Sequence, residues 1–591
     1  MKAGLSWLQA ALQGTIFLSQ LLPVVAQVPL PTPAWTPPPA SSGAVSSPNA
    51  NRPNKQWSTL LGELLYFYDA QRSGKLVSNR VDWRNDSLTD DGKGYTDLSG
   101  GFYDAGDYIK ATFPLSWALT SICWGALEFG NGYKDANQTA YLDSTLRWGL
   151  DWLIKAHPEM NTLYVLVGDD QKDNNYWGGD QNIPSPRPAY QVNDTHPGTD
   201  VAASASAAFS SCALLYGNKT LSSSSTPAAL VNTTYARTLL THSRQLLNFA
   251  VNSTHGMKQY QDSVPQIQDA YPSSGYYDDL ALASIFLGAA DSSPTLLQLA
   301  KTYWDKGSLS HGDIALDWDS KVAAIPVLMT EVLASQSSLS SAQDANAWKS
   351  AAESILDQIV AANGPGYLTG GGLLYFDGSS DSASLNPALN SAMLLVKYAP
   401  LASKSSKSND YLAFAKLQLD YVLGNNPMSM PYVVGVNPNS PQNPHSAPAS
   451  GGSDIGNINS SPPTEAHILY GAVVGGPTKG DEFWDERRDW VQTEVAIDYN
   501  APLLTLAAWK VATDGNDPFY TRLQDGAYAA NRPPGTSRPC SNPDVPCGYE
   551  FPFPQDRQIV VGVFLGLGGA IVLAMAGWYA YEWKKASTKA A

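Results

Sequence analysis

Between residues 56 and 515, apolar side chains recur at helical spacing about a dozen times, and the alternation typical of strands is nearly absent. Helices in sequence, joined alternately by short and long connections, can close into a barrel of helical hairpins. The sequence therefore predicts an all-α domain. The predicted helices lie near 56–72, 114–129, 142–156, 200–217, 234–253, 278–289, 294–304, 320–335, 343–362, 387–398, 410–423 and 501–512.

The long polar loops of this domain precede every second predicted helix. Successive helices of such a fold run antiparallel, so loops that precede the even helices emerge at the same end. We therefore expect one polar, aromatic-rich mouth. The loops in question are 97–107 before the second helix, 168–197 before the fourth, 273–277 before the sixth, 317–319 before the eighth and 425–499 before the twelfth.

The first of these loops carries two carboxylates three residues apart. Asp104 and Asp107 close the glycine-rich segment 97–107, DLSGGFYDAGD, just ahead of the predicted helix at 114–129. A loop at a helix entrance can hold two carboxyl groups over a cleft with little side-chain bulk around them. The alternative is an ordinary turn with two solvated aspartates.

Motifs in both halves of the chain resemble glycoside hydrolase family 9, the inverting endoglucanases. They follow the family's order over more than four hundred residues. The resemblance implies an (α/α)6 barrel that hydrolyses internal β-1,4-glucosidic bonds of cellulose-like or mixed-linkage β-glucans. The similar segments are 66–76 (YFYDAQRSGKL), 79–84 (NRVDWR), 98–107 (LSGGFYDAGD), 471–477 (GAVVGGP) and 485–501 (DERRDWVQTEVAIDYNA).

Inverting hydrolysis needs a base that activates water on one face of the sugar and an acid that protonates the leaving oxygen on the other, with the carboxyl groups roughly 6.5–9.5 Å apart. The resemblance implies that Asp107 is the base, that Asp104 holds the same water and that Glu494 is the acid. The residues around Glu494 agree, because its apolar neighbours Val491 and Val495 favour a raised pKa. The alternative for Glu494 alone is a surface glutamate before a helix.

A glucan cleft requires aromatic platforms for the apolar faces of the sugars and polar side chains for their hydroxyls. His445, which follows Asn443-Pro444, matches a substrate-binding histidine of the family. For each aromatic candidate, the alternative is a place in the core. The aromatic candidates are Tyr176, Trp177, Tyr190, Trp484 and Tyr499.

Several positions depart from the family pattern, which implies reshaped outer subsites and favours soluble or mixed-linkage glucans over crystalline cellulose. Ser446-Ala447 follow His445 where the family often has a second histidine and an arginine, and Asp173-Asn174 stand where it has Asp-His. Expected aromatics near three positions, and an arginine near a fourth, are missing. These four positions are Ile314, Leu282, Ser382 and Asn386.

The resemblance also implies a structural Ca²⁺ site, since carboxylates mixed with backbone carbonyls suit that ion. Asp279 stands where family members have a longer glutamate, so a bidentate contact is in doubt. The alternative is that Asp278 caps the sixth helix. We expect no organic cofactor. The predicted calcium ligands are Ser274, Gly275, Asp278, Asp279 and Asp319.

The two ends of the chain indicate a secretory route and a membrane tether. Residues 1–26 resemble a cleaved signal peptide, with an uncleaved anchor as the alternative, and 27–55 form a Pro/Ser-rich spacer. Residues 559–581 carry no charge and are long enough to span a bilayer, and lysines follow them. A lipid-anchor signal is less consistent with those lysines. The remaining predicted regions are the catalytic domain 56–515, a juxtamembrane stalk 516–558 and a cytoplasmic tail 582–591.

Charge and cysteine usage fit an extracellular domain. The net charge of −16 and the pI of about 4.8 argue against nucleic acid as a partner. Cys540 and Cys547 could bridge in an oxidising compartment, while Cys123 and Cys212 are either a disulfide or two buried thiols. We expect a glycosylated monomer that binds β-glucan and faces outward from the plasma membrane. The potential N-glycosylation sites are Asn85, Asn137, Asn193, Asn218, Asn232, Asn252 and Asn459.

Two other functions are compatible with these residues. One is an exo-acting glycosidase on the same barrel, which long loops closing one end of the groove would favour. The other is a catalytically inactive glucan-binding surface protein, which the retention of Asp104, Asp107 and Glu494 disfavours.

Overall fold

The computed structural model describes residues 28–47, 50–77, 79–222 and 224–535. The chain divides into two units, Met1–Ser537 and Arg538–Ala591, and every described residue belongs to the first. The predicted signal peptide, the span 559–581, the tail 582–591 and the pair Cys540 and Cys547 lie outside the described residues. Within the described ranges, none of the helices combines the length and the apolar character needed to cross a bilayer.

Twelve long helices form the described domain, and each coincides with one of the periodic segments of the sequence. They are α1 Lys55–Ala70, α2 Thr112–Glu128, α3 Thr139–Ala156, α4 Thr199–Tyr216, α5 Thr233–Asn252, α6 Tyr277–Asp291, α7 Pro294–Lys306, α8 Ala324–Ser335, α9 Ala345–Ala361, α10 Leu385–Tyr398, α11 Ser405–Val422 and α12 Ile497–Thr513.

The even-numbered helices form a closed inner ring. Each contacts the next, from α2 through α4, α6, α8 and α10 to α12, and α12 returns to α2. Every residue of α2 and of α4 is buried, whereas the outer helix α5 buries only one face. A helix that is apolar all round belongs inside a protein, and an amphipathic one belongs on its surface. The prediction of an (α/α)6-type helical barrel is confirmed.

A disulfide joins two neighbouring inner helices. Cys123 of α2 is bonded to Cys212 of α4, which decides between the two alternatives left open by the sequence. Because the bond closes a loop with a sequence separation of 89 residues, it restricts the unfolded chain.

The loops contain short strands and helical turns. An antiparallel sheet of order β1-β2-β3 ties the loop before α2 to the loop before α4, and β4 pairs with β5 as a hairpin. These strands are too short to show a clear alternation of apolar and polar residues in the sequence. They are β1 Lys110–Ala111, β2 Thr162–Val167, β3 Ala189–Asn193, β4 Gly366–Leu368 and β5 Leu374–Phe376. Additional α-helical turns lie at Gly130–Asp135, Asp170–Asp173, Ala447–Ser450, Trp490–Thr493 and Ala527–Asn531.

The segment before α1 differs from the predicted spacer. The backbone N–H of Val28 donates to Asp143 at 2.7 Å, and that of Trp35 donates to the Tyr141 hydroxyl at 2.6 Å. The Trp35 ring packs against Gly62 of α1, where a Cβ would lie 2.8 Å from the ring. Residues 28–47 thus pack against the barrel, because the apolar side chains scattered among the prolines find partners on the outer helices.

The described part of the predicted stalk, 516–535, also packs on the barrel. Tyr520 is buried, and its hydroxyl donates to the Gln56 carbonyl at 3.1 Å. Asn437 donates to the Tyr520 carbonyl at 3.1 Å. The folded domain therefore extends beyond the last barrel helix, and the rest of the predicted stalk lies outside the described residues.

Candidate active site

Backbone hydrogen bonds join three distant segments at the mouth of the barrel. The N–H of Ile497 donates to the Asp104 carbonyl at 3.0 Å, and the N–H of Ala447 donates to the Gly106 carbonyl at 2.7 Å. The N–H of His445 donates to the Thr493 carbonyl at 2.9 Å. The loop before α2 is therefore fastened to both parts of the loop before α12.

Gly106 lies at the closest approach between these segments. A Cβ at this position would lie 2.1 Å from the carbonyl oxygen of His445, a backbone atom that cannot move aside without shifting its segment. The Gly106 N–H donates to the Glu494 carboxyl group. Because glycine has no Cβ, the Gly106 backbone can approach the His445 and Glu494 segments closely, which places Asp107 beside His445 and Glu494.

The three predicted catalytic carboxyl groups lie together. Asp104 is buried, whereas Asp107 and Glu494 are partly exposed. Burial raises the pKa of Glu494 to about 8, which keeps it protonated at neutral pH. Oδ1 of Asp104 and Oδ1 of Asp107 are buried and have no hydrogen-bond donor among the described residues. Such unpartnered oxygens are rare inside proteins and indicate a position for water or substrate.

Asp173, in the loop before α4, lies against Asp107. Its charge acts on Asp107, and the Tyr108 N–H donates to Asp173 Oδ2 at 2.7 Å. Burial, followed by the neighbouring charges of Asp173 and Glu494, raises the pKa of Asp107 well above its usual range. In the sequence, Asp173 is recognisable only as part of a departure from the family pattern.

Asp104 is oriented by a residue that the sequence analysis did not single out. The Tyr271 hydroxyl donates to Asp104 Oδ2, and the Tyr271 ring packs edge-on against Trp318, with ring centroids 5.0 Å apart. Tyr271 precedes α6 and Trp318 precedes α8. The loops that precede α2, α4, α6, α8 and α12 therefore meet at the carboxyl groups, as predicted for the mouth. Only this connectivity could have pointed to Tyr271, since an isolated tyrosine in a loop carries no motif.

His445 and Trp177 form a pair beside the carboxyl groups. Their ring centroids lie 4.8 Å apart, and His445 Nδ1 is hydrogen-bonded to the Arg487 carbonyl. Burial lowers the pKa of His445 to about 4, so the ring is neutral at pH 7. Trp177 is only 3% exposed and packs with Tyr103, Tyr108 and other buried residues, as in the core alternative.

The other aromatic candidates occupy different positions. Tyr499 is partly exposed and lies near Glu494 and Asp104, whose charges contribute to its raised pKa after burial. Tyr176 packs 5.8 Å from the Tyr108 ring, and its hydroxyl donates to the Gly179 carbonyl at 2.7 Å. Tyr190 lies on β3, partly exposed. Trp484 is partly exposed, and its indole Nε1 is buried without an acceptor among the described residues.

The predicted calcium ligands cluster, but a lysine lies among them. Lys321 Nζ is 2.9 Å from Asp279 Oδ1, and both side chains are buried. Asp278 Oδ2 accepts from the Lys321 N–H at 2.8 Å, and Asp319 Oδ1 accepts from the Ser274 N–H at 2.8 Å. Gly275 offers its carbonyl to the Ser273 hydroxyl at 2.6 Å. These contacts do not fit a calcium site, because the ammonium group lies among the predicted ligands and two of their carboxylate oxygens already accept from backbone N–H groups.

Replacing Gly106 by Ala tests the close approach. The new Cβ would push the loop away from His445, so we expect kcat on a soluble β-glucan to fall by at least about 100-fold, as is typical when reacting groups are misplaced by an ångström. Gly364→Ala is the matched control, because its Cβ would meet no atom within 4 Å. Steady-state kinetics with circular dichroism as a folding check would measure both. A folded Gly106→Ala enzyme with wild-type kcat would contradict the assigned contact.

The sequence profile of Glycosyl hydrolase family 9 matches residues 57–507. Endoglucanase 10 of Arabidopsis thaliana is 33% identical over 479 residues, covering 78% of this chain and 88% of the plant protein. Endoglucanase A of Bacillus pumilus is 34% identical over 453 residues, covering 75% of this chain but only 64% of the bacterial one. For Endoglucanase B of Cellulomonas fimi, the chain spans 44% of the relative.

Solved structures share the fold. The endoglucanase of the termite Nasutitermes takasagoensis superimposes with a TM-score of 0.68 and 33% identity, covering 77% of this chain and 98% of that one. A cellulase of C. cellulolyticum in complex with cellobiose gives a TM-score of 0.65 and 27% identity, covering 77% and 98%. The profile match covers well over half of the chain, so this protein belongs to glycosyl hydrolase family 9.

Proposed function

We propose that this protein is an endo-β-1,4-glucanase that hydrolyses soluble or mixed-linkage β-glucans by a single displacement with inversion. The proposal rests mainly on one observation: two aspartate oxygens without hydrogen-bond donors lie near a glutamic acid that is protonated at neutral pH. Asp104 Oδ1 and Asp107 Oδ1 lack donors among the described residues, and burial raises the pKa of Glu494 to about 8.

Each carboxyl group has a role that its surroundings support. A water molecule between the free oxygens of Asp104 and Asp107 would attack the anomeric carbon, and Asp107 would take its proton. Glu494 would donate its proton to the departing oxygen, so that the glycosidic bond breaks as the new bond to water forms. Asp104, held by the Tyr271 hydroxyl, would orient the water rather than accept its proton.

Two side chains near the carboxyl groups suit the binding of sugar. Neutral His445, whose Nδ1 is hydrogen-bonded to a carbonyl, can accept a hydrogen bond from a sugar hydroxyl at Nε2. Tyr499 offers a partly exposed ring beside Glu494. The relatives named above are endoglucanases, and one related cellulase was solved with cellobiose. We extend their substrate class to this chain on these grounds.

The outer subsites should differ from those of relatives that have an arginine after the paired histidines. Ala447 is buried here, in the cluster with Trp177 and Tyr108. It therefore offers no charged group to a hydroxyl further along the chain of sugars. This loss of polar contacts favours accessible, soluble glucans over tightly packed cellulose chains.

Product stereochemistry tests the proposal. We expect proton NMR of a digest of a soluble β-1,4-glucan to show the α-anomer first at new reducing ends, and Glu494→Gln to lose at least about 1,000-fold in kcat because no proton reaches the leaving oxygen. The panel should include mixed-linkage and β-1,3-glucans. β-Anomers as first products would contradict the base assignment, and release of only terminal sugars would indicate an exo-acting enzyme.

Failure of the purified ectodomain to cleave any of these glucans, with binding retained, would instead indicate a glucan-binding protein. Glu486→Gln, a glutamate on the same loop, is the control for Glu494→Gln.

The pH dependence follows from the same carboxyl groups. The acid works only while protonated, so kcat/KM should fall as pH rises through about 8, where Glu494 ionises. Asp107 must be ionised, and the charge of Asp173 raises its pKa. Asp173→Asn should therefore move the acid limb of the profile to lower pH and leave the alkaline limb in place. Activity should be measured from pH 4 to 10 for both proteins. A shift of the alkaline limb in place of the acid limb would contradict the assigned roles.

We further propose that the protein enters the secretory pathway and is held at the plasma membrane by residues 559–581, with its catalytic domain outside. The uncharged span, the lysines that follow it and the N-terminal apolar segment support this. Most of the potential glycosylation sites, Asn85, Asn137, Asn218, Asn252 and Asn459, are exposed.

The tether can be tested in cells. We expect the full chain to remain in the membrane pellet after carbonate extraction, and a chain that ends at 535 to appear in the medium with N-glycans. Recovery of both chains in the carbonate supernatant would contradict the tether.

A further inference from the structure

We propose that the ammonium group of Lys321 takes the place of a divalent cation at the mouth of the barrel, so that this protein folds and keeps its loops in position without calcium. The proposal rests on contacts among loops and helix starts rather than on the catalytic reaction. It therefore stands or falls independently of the proposed function.

Lys321 Nζ is satisfied by the kinds of oxygen that a cation site uses. It lies 2.9 Å from Asp279 Oδ1 and 3.1 Å from the Asp319 carbonyl, and it also donates to the Trp318 carbonyl. Two backbone carbonyls accept hydrogen bonds from the ammonium group, and the Asp279 carboxylate balances its charge as an ion pair. The side chain of Lys321 is 1% exposed, so water does not compete for these contacts.

The ammonium group of Lys321 lies where a calcium ion would need to contact Asp279. Calcium takes six to eight oxygens at about 2.3–2.6 Å, and a neighbouring ammonium charge would repel it strongly. Asp278 Oδ2 accepts from the Lys321 N–H and Asp319 Oδ1 accepts from Ser274, so two of the carboxylate oxygens are engaged. Both Asp279 oxygens lack a hydrogen-bond donor among the described residues, and Lys321 Nζ is the cation that balances their charge. In the described ranges, no group of three or more His, Cys, Asp or Glu side chains is arranged to hold a metal.

The ammonium group connects three inner helices at the mouth. Asp279 is in the first turn of α6, Lys321 lies just before α8, and Nζ is 4.2 Å from the centre of the Phe113 ring, in α2. Its acceptor Trp318 packs on Tyr271, which donates to Asp104. A fixed positive charge at this point therefore holds the residues that orient Asp104. A covalently attached cation cannot be lost to a chelator or to dilution.

Metal content and thermal stability of the full-length protein test the inference directly. We expect elemental analysis after dialysis to find no stoichiometric calcium, and Tm to be the same in EDTA and in millimolar CaCl₂. A fall in Tm on chelation that calcium reverses, or one bound calcium per chain, would overturn the proposal. Neither measurement depends on hydrolysis of a glucan, so failure here is distinct from failure of the proposed function.

Variants sharpen the test. Lys321→Ser leaves Asp279 and the two carbonyls without their cation, and we expect Tm to fall by about 4 °C, with a partial return in millimolar CaCl₂. Lys397→Ser is the matched control, because Lys397 is also buried and lies 3.7 Å from Glu331. It should lose stability without any response to calcium.

Two outcomes of the variant experiment would contradict the inference. One is a Lys321→Ser protein with the same Tm as wild type, which would mean that the ammonium group does not stabilise the loops. The other is an equal calcium response of the two variants, which would mean that the Lys321 position is not a cation site. Should Lys321→Ser not fold, Lys321→Met replaces it in the comparison of Tm, because methionine keeps an unbranched side chain only one atom shorter and removes the charge.

Discussion

The contact between the Gly106 backbone and the His445–Glu494 segments determines the geometry of the candidate active site. These segments come from opposite ends of the catalytic domain and meet only because the ring of inner helices closes, with α12 against α2. The Gly106 carbonyl accepts from Ala447 and its N–H donates to Glu494. The base and the acid of the proposed mechanism are therefore positioned by backbone, which has fewer rotatable bonds than long side chains and holds its groups more firmly.

The contact between these segments also brings several carboxyl groups close together at the mouth of the barrel, and this proximity affects their pKa values. Asp104, Asp107, Asp173, Glu494 and Asp498 lie close enough for their charges to influence one another's pKa values. Carboxyl groups that cannot all ionise together separate into donors and acceptors of protons, which is what acid–base catalysis needs. Individual carboxyl groups within the cluster also accept hydrogen bonds: Asp104 accepts one from the Tyr271 hydroxyl, and Glu494 accepts one from the Gly106 N–H.

The sequence predicted those features that depend on local periodicity or on motifs. All twelve long helices and the common mouth of the even-numbered loops were anticipated, because an amphipathic or fully apolar helix is visible in one stretch of chain. Contacts between distant stretches of the chain were not anticipated. The role of Lys321 depends on its contact with Asp279, and that of Tyr271 depends on its contact with Asp104. The same reason explains residues 28–47, whose composition indicated a spacer although Trp35 finds a partner surface on α1.

The division between barrel and mouth explains how subsites can change without loss of the catalytic centre. The inner helices are buried at nearly every position, and the Cys123–Cys212 bond fastens two of them, so their packing leaves little freedom. Ala447, by contrast, contributes its backbone N–H to the contact with Gly106, and its side chain is not required for it. Substitutions at such positions alter what the cleft offers to a glucan while the Asp107 and Glu494 carboxyl groups stay in place. The proposed role of Lys321 is consistent with the same separation, because a positive charge at one point of the rim would hold the loops there whether a metal ion or an ammonium group supplied it.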